Sequence, residues 1–136
     1  MKLSKMIIAL VAMLLGVAHS VSAQVAVVDG ENYASLQEAI AAADGKVVKL
    51  LSDIEVDTKT FTIADGQNVV LDMNNMSITA TDNASGNYEL FYIYGELTVK
   101  GNGTINLAST IDRNWNNMSA IFHNRGGVLT IENGTF

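Results

Sequence analysis

Apolar positions in the second half of the chain fall in short alternating runs interrupted by asparagine and glycine. Three stretches share one pattern: Leu71-Asp72-Met73-Asn74-Asn75-Met76-Ser77-Ile78, Leu97-Thr98-Val99-Lys100-Gly101-Asn102-Gly103-Thr104-Ile105 and Leu129-Thr130-Ile131-Glu132-Asn133-Gly134-Thr135-Phe136. Each reads Leu-x-apolar-x, a turn opened by asparagine, a hydroxyl residue and an apolar residue. Alternation at Leu97/Val99 and Leu129/Ile131 has the period of a half-buried strand. The intervening Asn-Gly tolerates positive φ and so marks a bend. Each unit is therefore strand, tight turn, strand.

An Asn-Gly turn between strands ordinarily closes a hairpin, but two features favour a corner in a coil. The flanking strands are very short, and a further apolar strand precedes each unit, at Thr60 to Ile63, Leu90 to Tyr94 and Ala120 to His123. A glycine-containing bend follows each of these, at Gly66, Gly95 and Gly126-Gly127. Three short strands per turn, stacked on their equivalents in the next turn, make a parallel β-helix. The leading leucines lie 26 and 32 residues apart, and the difference is assigned to polar insertions at Thr81 to Asn87 and Ala108 to Met118. The pattern predicts that Phe61/Ile63, Leu71/Met73, Leu97/Val99, Ile105 and Leu129/Ile131 point inward. Upstream, Val25 to Val28 and Val47 to Leu51 read as strands. Between them Ser35-Leu36-Gln37-Glu38 fits a capping box. The helix that follows has an apolar stripe of Leu36, Ile40 and Ala43 with Ala39 beside it, and stops at Asp44-Gly45. Such a helix would cover the open end of the first coil. The absence of proline suits strands that donate on both sides.

The Tyr33-x-Ser35-Leu36-x-x-Ala39-Ile40 opening, the Leu71-Asp72 strand and the repeated Leu-Thr-Val/Ile with Asn-Gly-Thr resemble secreted bacterial proteins of the pectin-lyase-like superfamily. The resemblance runs from Val25 to Phe136 and implies an all-β fold, a right-handed parallel β-helix with a short N-terminal capping helix. It carries fold rather than activity. Members include polysaccharide lyases and hydrolases, tailspikes and adhesins. The enzymes' paired aspartates with a nearby Gly-His-Gly, and their Arg-x-x-Arg or Arg-Ile-Lys elements, do not occur in this sequence, so no catalytic residue is carried over.

At the N-terminus, Lys2 and Lys5, the apolar run from Met6 to Val17 and the small-x-small Val21-Ser22-Ala23 form a cleavable secretory signal. The run is shorter than the roughly 18 to 20 residues that span a bilayer. The reading is thus a signal peptide over residues 1–23 and one capped β-helix domain over residues 24–136. The protein is placed outside the cytoplasm: secreted, periplasmic or at the cell surface. Without cysteine, neither disulfides nor a lipidated cysteine enter the picture. After cleavage six basic residues face fourteen acidic ones, a net charge of −8, and the basic ones are scattered. Nucleic acid is a poor partner for such a chain.

Candidate chemistry is sparse. Asp53, Glu55 and Asp57 alternate on one strand face about 6.5 to 7 Å apart, a spacing that overlaps that of inverting glycosidases, although a solvated strand face explains it as well. His123 is the one histidine after cleavage, with Ser119, Asp112 and Arg125 near it in sequence. A catalytic triad needs a geometry that proximity in sequence does not supply, and His123 more simply takes the place of an aromatic in the coil below. One histidine without thiols makes no zinc site. Asp82, Asn83, Asp112 and Asn114 offer oxygen ligands of the kind calcium takes, and turn chemistry accounts for them equally. Five Asn-x-Ser/Thr sequons, at Asn75, Asn83, Asn102, Asn117 and Asn133, are largely corner composition. Tyr92, Tyr94 and Trp115 remain as candidate ligand-binding residues. Either Leu90/Tyr92/Tyr94 or Phe91/Ile93 faces the core, and the second phase leaves two tyrosines outside to stack on sugar rings. No metal, cofactor or catalytic residue is assigned. The leading reading is an exported β-helix scaffold or recognition module for a polysaccharide or cell-surface glycan. The alternative is the N-terminal part of a polysaccharide lyase or glycoside hydrolase whose catalytic coils lie beyond residue 136.

The third repeat stops at Phe136 with no cap comparable to Ser35 to Gly45, which makes a longer protein the expectation. Residues 24–136 expressed alone are expected to self-associate through the open C-terminal edge. Sedimentation checks this, and a monomeric, cooperatively melting product overturns it.

Overall fold

A computed structural model describes residues 22–57, 60–81, 88–107 and 119–136. Among the described residues twelve strands and one helix follow in order: β1 (Ala26–Val28), β2 (Glu31–Tyr33), α1 (Leu36–Ala42), β3 (Lys46–Leu50), β4 (Ile54–Val56), β5 (Phe61–Ile63), β6 (Asn68–Asp72), β7 (Ser77–Ala80), β8 (Glu89–Ile93), β9 (Glu96–Lys100), β10 (Thr104–Leu107), β11 (Ala120–Asn124) and β12 (Val128–Ile131). They form three sheets, ordered β12-β9-β6-β3-β1-β2, β10-β7-β4 and β11-β8-β5. From β3 onward consecutive strands thus fall on different faces, and every third strand pairs in parallel with its predecessor. The chain is a three-sided parallel β-helix solenoid. Asn102-Gly103 turns a corner between β9 and β10, which belong to different sheets, and closes no hairpin.

The inward residues form vertical stacks. Phe61, Ile63, Leu71, Met73, Leu97, Val99 and Ile105 are buried as expected. Phe61, Phe91 and Phe122 hold equivalent positions in successive coils. Their ring centroids are 5.2 and 5.5 Å apart, and Phe136 adds a fourth ring 5.5 Å from Phe122. Such offset and edge contacts contribute beyond the area they bury. Ile131 departs from expectation. It stacks in register on Val99 but is 46% exposed, because no further strand among the described residues lies over β12.

The alignment of repeats read from the leucines is two residues out in the first sheet. Leu97 pairs with Val69, 28 residues back, and Leu71 pairs with Val99. A two-residue slip keeps the same side chains inward, so alternation alone does not detect it. The physical difference lies in the corner. Met73 is fully buried there, and a Cβ at Gly103 would come within 2.6 Å of the Met73 Cβ. One coil fills the corner with a side chain and the next leaves the space empty. The corner after the third sheet is tighter still. A Cβ on Gly95 would collide with the carbonyl oxygens of Ala64 and Gln67, and one on Gly127 with that of Gly95. Glycine is needed at these two positions for close approach of backbone to backbone.

The N-terminal end is closed by different means. β1 pairs antiparallel with β3 and with β2, through a turn in which Asp29 (φ 49°) and Gly30 (φ 83°) are both left-handed. This Asp-Gly hairpin is absent from the sequence reading because β2 is three residues long and mostly polar. Helix α1 buries Leu36, Ala39 and Ile40 as its stripe predicts. The capping box is not formed, since Ser35 makes no side-chain cap bond. Gln37 instead accepts from the Thr62 N–H (2.9 Å) and donates to the Thr62 carbonyl (3.4 Å), standing in for a strand beside β5. Gln67 returns the tie by donating to the Ile40 carbonyl. No helix among the described residues is long and apolar enough to cross a membrane.

Two substitutions test this packing by denaturant melting. Phe91→Ala, at the centre of the ring stack, is expected to lose about 3–5 kcal/mol. Gly95→Ala is expected to destabilise by more than the few tenths typical of a surface change, and a neutral result would refute the close-approach argument.

Candidate functional site

The outer surface of the β5-β8-β11 sheet, with the corner that follows it, gathers the titratable and aromatic groups. The phase left open by the sequence is settled: Phe91 and Ile93 are buried, Tyr92 is half-buried on the outer side and Tyr94 is 40% exposed. Strict alternation breaks at Leu90 and Phe91, which are both buried. Glu89 is thereby brought to the outer side with Tyr92. Its carboxylate accepts from the Tyr92 hydroxyl (2.9 Å) and meets His123 Nδ1 at 3.2 Å. His123 pairs in register with Tyr92, one coil on, with ring centroids 5.6 Å apart and edge-on. The Arg125 guanidinium lies 4.8 Å over the Tyr92 ring, a cation–π arrangement.

These contacts decide what Tyr92 offers. One ring face is covered by Arg125, His123 packs against the ring at 62° and the hydroxyl is committed to Glu89. The Glu89 hydrogen bond pushes the phenol pKa up, desolvation and the Glu89 charge add to this, and Arg125 partly opposes it. Tyr92 is therefore a positioned part of a cluster more than an open stacking surface. Tyr94 differs. It stands beside a groove of about 310 Å³ whose other walls include Asp65, Gln67, Asn68 and Glu96, and whose backbone turns at Gly95 and Gly127. Within it the Asn68 side-chain amide donates to Glu96 at 3.2 Å. Gln67 accepts from the Ala64 N–H and binds the helix, so its amide is committed to the fold. The groove thus presents an aromatic ring beside two carboxylates and an amide. Trp115 lies outside the described residues, as do Asp82, Asn83, Asp112 and Asn114.

The remaining constellations resolve simply. Asp53, Glu55 and Asp57 are exposed, and Asp53 accepts from the Ser77 N–H (2.7 Å), tying one coil to the next. His123 turns to Glu89, while Ser119, four residues earlier in an extended segment, is about 13 Å away along the chain; its hydroxyl is buried with no hydrogen-bond partner among the described residues. No group of three metal-ligating side chains occurs among the described residues. Sequence reasoning placed His123 over an aromatic and missed Glu89, Asp65, Asn68 and Glu96. Glu89 was hidden because the Glu89-Leu90-Phe91 run violates the alternation used to assign sides. The other three become neighbours only when two corners are stacked.

A check on the cluster follows from the sign of the Tyr92 shift. A raised phenol pKa means that the protonated form is favoured in the folded chain. The associated stabilisation is present in full below the ordinary tyrosine value near 10 and is lost as pH rises through the raised one. The Tyr33 phenol is also pushed up, by desolvation and by its hydrogen bond to Glu31, so in a Tyr33→Phe background spectrophotometric titration should show Tyr92 ionising late, and Glu89→Gln should return it toward the ordinary range. An unchanged late transition in that variant would remove Glu89 as the cause.

No protein-family model matches this chain, and neither a curated protein nor a solved structure matches it.

Proposed function

We propose that the protein is an exported recognition module that holds a neutral polysaccharide or cell-surface glycan in the groove beside Tyr94. The observation that carries this reading is the exposed Tyr94 ring next to the carboxylates of Asp65 and Glu96 and the Asn68 amide. Sugar rings offer an apolar face for stacking and hydroxyls that donate to carboxylates. The acidity of the groove, and the net charge of the mature chain, favour an uncharged glycan over a polyanion. Export is supported by the N-terminal signal pattern. Tyr92 acts as a neighbour that fixes the strand leading into the groove, and Trp115 is kept as a further candidate stacking residue. Solenoid corners repeat at regular intervals, a geometry suited to an extended, repetitive ligand.

Retention on insoluble cellulose, chitin and mannan tests the proposal. Loss of one aromatic stacking contact, worth roughly 0.5–1.5 kcal/mol, should weaken retention of Tyr94→Ala by about 2- to 12-fold, with Tyr92→Ala and Trp115→Ala as companions. Unaltered retention of a folded Tyr94→Ala variant, or absence of retention of the parent protein on all three, overturns it.

A further inference from the structure

The sheet β12-β9-β6-β3-β1-β2 is twice as wide as either of the others, and its outer face differs from theirs in chemistry. Register sets Val47, Val70, Thr98 and Thr130 in one outward row. Lys49, Asp72 and Lys100 stand in the next row. Glu132, which follows Ile131 and donates its N–H to the Val99 carbonyl (2.9 Å), completes that row. Val47 and Val128 are exposed on this face and Leu51 at its rim, while the exposed large hydrophobic residues elsewhere are Tyr94 and, at the β12 end, Ile131 and Phe136.

The charged row alternates plus, minus, plus, minus at the coil spacing of about 4.8 Å. Its four members nevertheless form no ion pair with one another, since the ion pairs among the described residues are Lys46–Asp29 and His123–Glu89. Asp72 turns one oxygen to its own corner, where Oδ1 accepts from the Asn74 N–H (3.0 Å). The row sums to zero in a mature chain of net charge −8, so this is a face on which two copies repel each other little.

We propose that this face is a self-recognition surface, on which a second copy of the chain docks about a two-fold axis parallel to the strands and midway between β6 and β9. Rotation about that axis reverses the order of the coils and lays each row over itself. Lys49 of one copy then faces Glu132 of the other, and Asp72 faces Lys100, each contact occurring twice as an isologous interface requires. In the neighbouring row Val47 meets Thr130 and Val70 meets Thr98. These β-branched side chains suit sheets packed about 10 Å apart. A slide by one coil sets Asp72 against Asp72 and Lys49 against Lys100, so the charges specify register as well as partner. An axis along the stack would lay the charged row over the valine and threonine row and leave its charges unmatched. Four overlapping strands cover roughly 300 Å² per copy by their spacing and rise, against about 800 Å² in a standard interface. The pair is therefore weak, and its charges set orientation more than affinity. The inference is independent of what the groove beside Tyr94 holds.

Sedimentation equilibrium of the mature protein at low ionic strength, over rising concentration, tests the proposal. The parent is expected to show a monomer–dimer equilibrium that added salt weakens. Lys49→Glu and Glu132→Lys change the net charge in opposite directions, yet each alone should raise the dissociation constant about tenfold by setting like charges opposite. The double variant restores opposite charges and should return to within about threefold of the parent. Thr98→Arg, which meets Val70 of the second copy, should weaken the pair from the other row, and it keeps the test open if a charge variant fails to melt cooperatively. A parent that stays monomeric at millimolar concentration, single variants whose effects follow net charge, or a folded double variant that does not recover would each overturn the proposal. Association that Lys49→Glu and Thr98→Arg leave unchanged would assign it to the β12 edge instead.

Discussion

The described coils answer to one constraint: each must hydrogen-bond to the next along its strands and through the corners that the structure describes. In a parallel ladder the strands stand about 4.8 Å apart, and a corner that strays from that spacing leaves backbone groups without partners. The corners accordingly bond between coils as the strands do. Met73 donates to Lys100, Asn75 to Asn102, Glu96 to Gln67 and Val128 to Gly95. Side chains must then fit within one coil spacing or be absent. Gly95 and Gly127 are the case of absence, and the stacked phenylalanines, with centroids 5.2 to 5.5 Å apart, are the case of fit.

The same stacking builds the outer surface. Because register is held coil to coil, a residue placed outward in one strand has its neighbour determined in the next, which is how His123 arrives at Tyr92. A local break in alternation then adds a carboxylate to the pair, and Arg125, just beyond the end of β11, reaches back over the ring. None of the four groups is adjacent in sequence to all the others, yet all lie within two coils. The groove beside Tyr94 has the same origin, since its walls come from the corners of three successive coils brought together by their glycines.

What was legible in the sequence follows from this. Period-two alternation and glycine or asparagine at corners are local signals, so the coil, the helix with its Leu36–Ile40 stripe and most inward residues could be read directly. The vertical register could not, because Leu71 and Val69 are both inward and either can lie under Leu97 without changing the pattern. The capping box failed for a related reason. The motif specifies local bonds at Ser35, whereas Gln37 finds a better-placed tertiary partner in the unpaired edge at Thr62. The β1–β2 hairpin had a clear turn in Asp29-Gly30 but too little apolar periodicity in β2 to be seen as a strand. The groove was invisible in principle, since Asp65, Asn68 and Glu96 are ordinary corner residues until two corners are superimposed.

The two ends of the ladder show how the constraint is relaxed. At the N-terminal end the exposed edge is met by an antiparallel hairpin on one side and by the Gln37 carboxamide on another, which matches a single peptide's donor and acceptor without continuing the ladder. An amide side chain suits this role because it carries both functions in one plane, and its helix supplies the apolar cover that a lone hydrogen bond lacks. At β12 the described residues show Ile131 and Phe136 at 46% and 44% exposure, Ile131 in register with the buried Val99 and Phe136 against the Phe122 ring. Order in a solenoid is transmitted from neighbour to neighbour, so a residue's environment depends on how many coils flank it rather than on its own sequence. That is why Val99 and Ile131, in register one above the other, differ in exposure within one chain. It also leaves Tyr94 with ordered coils on both sides to hold its strand in place.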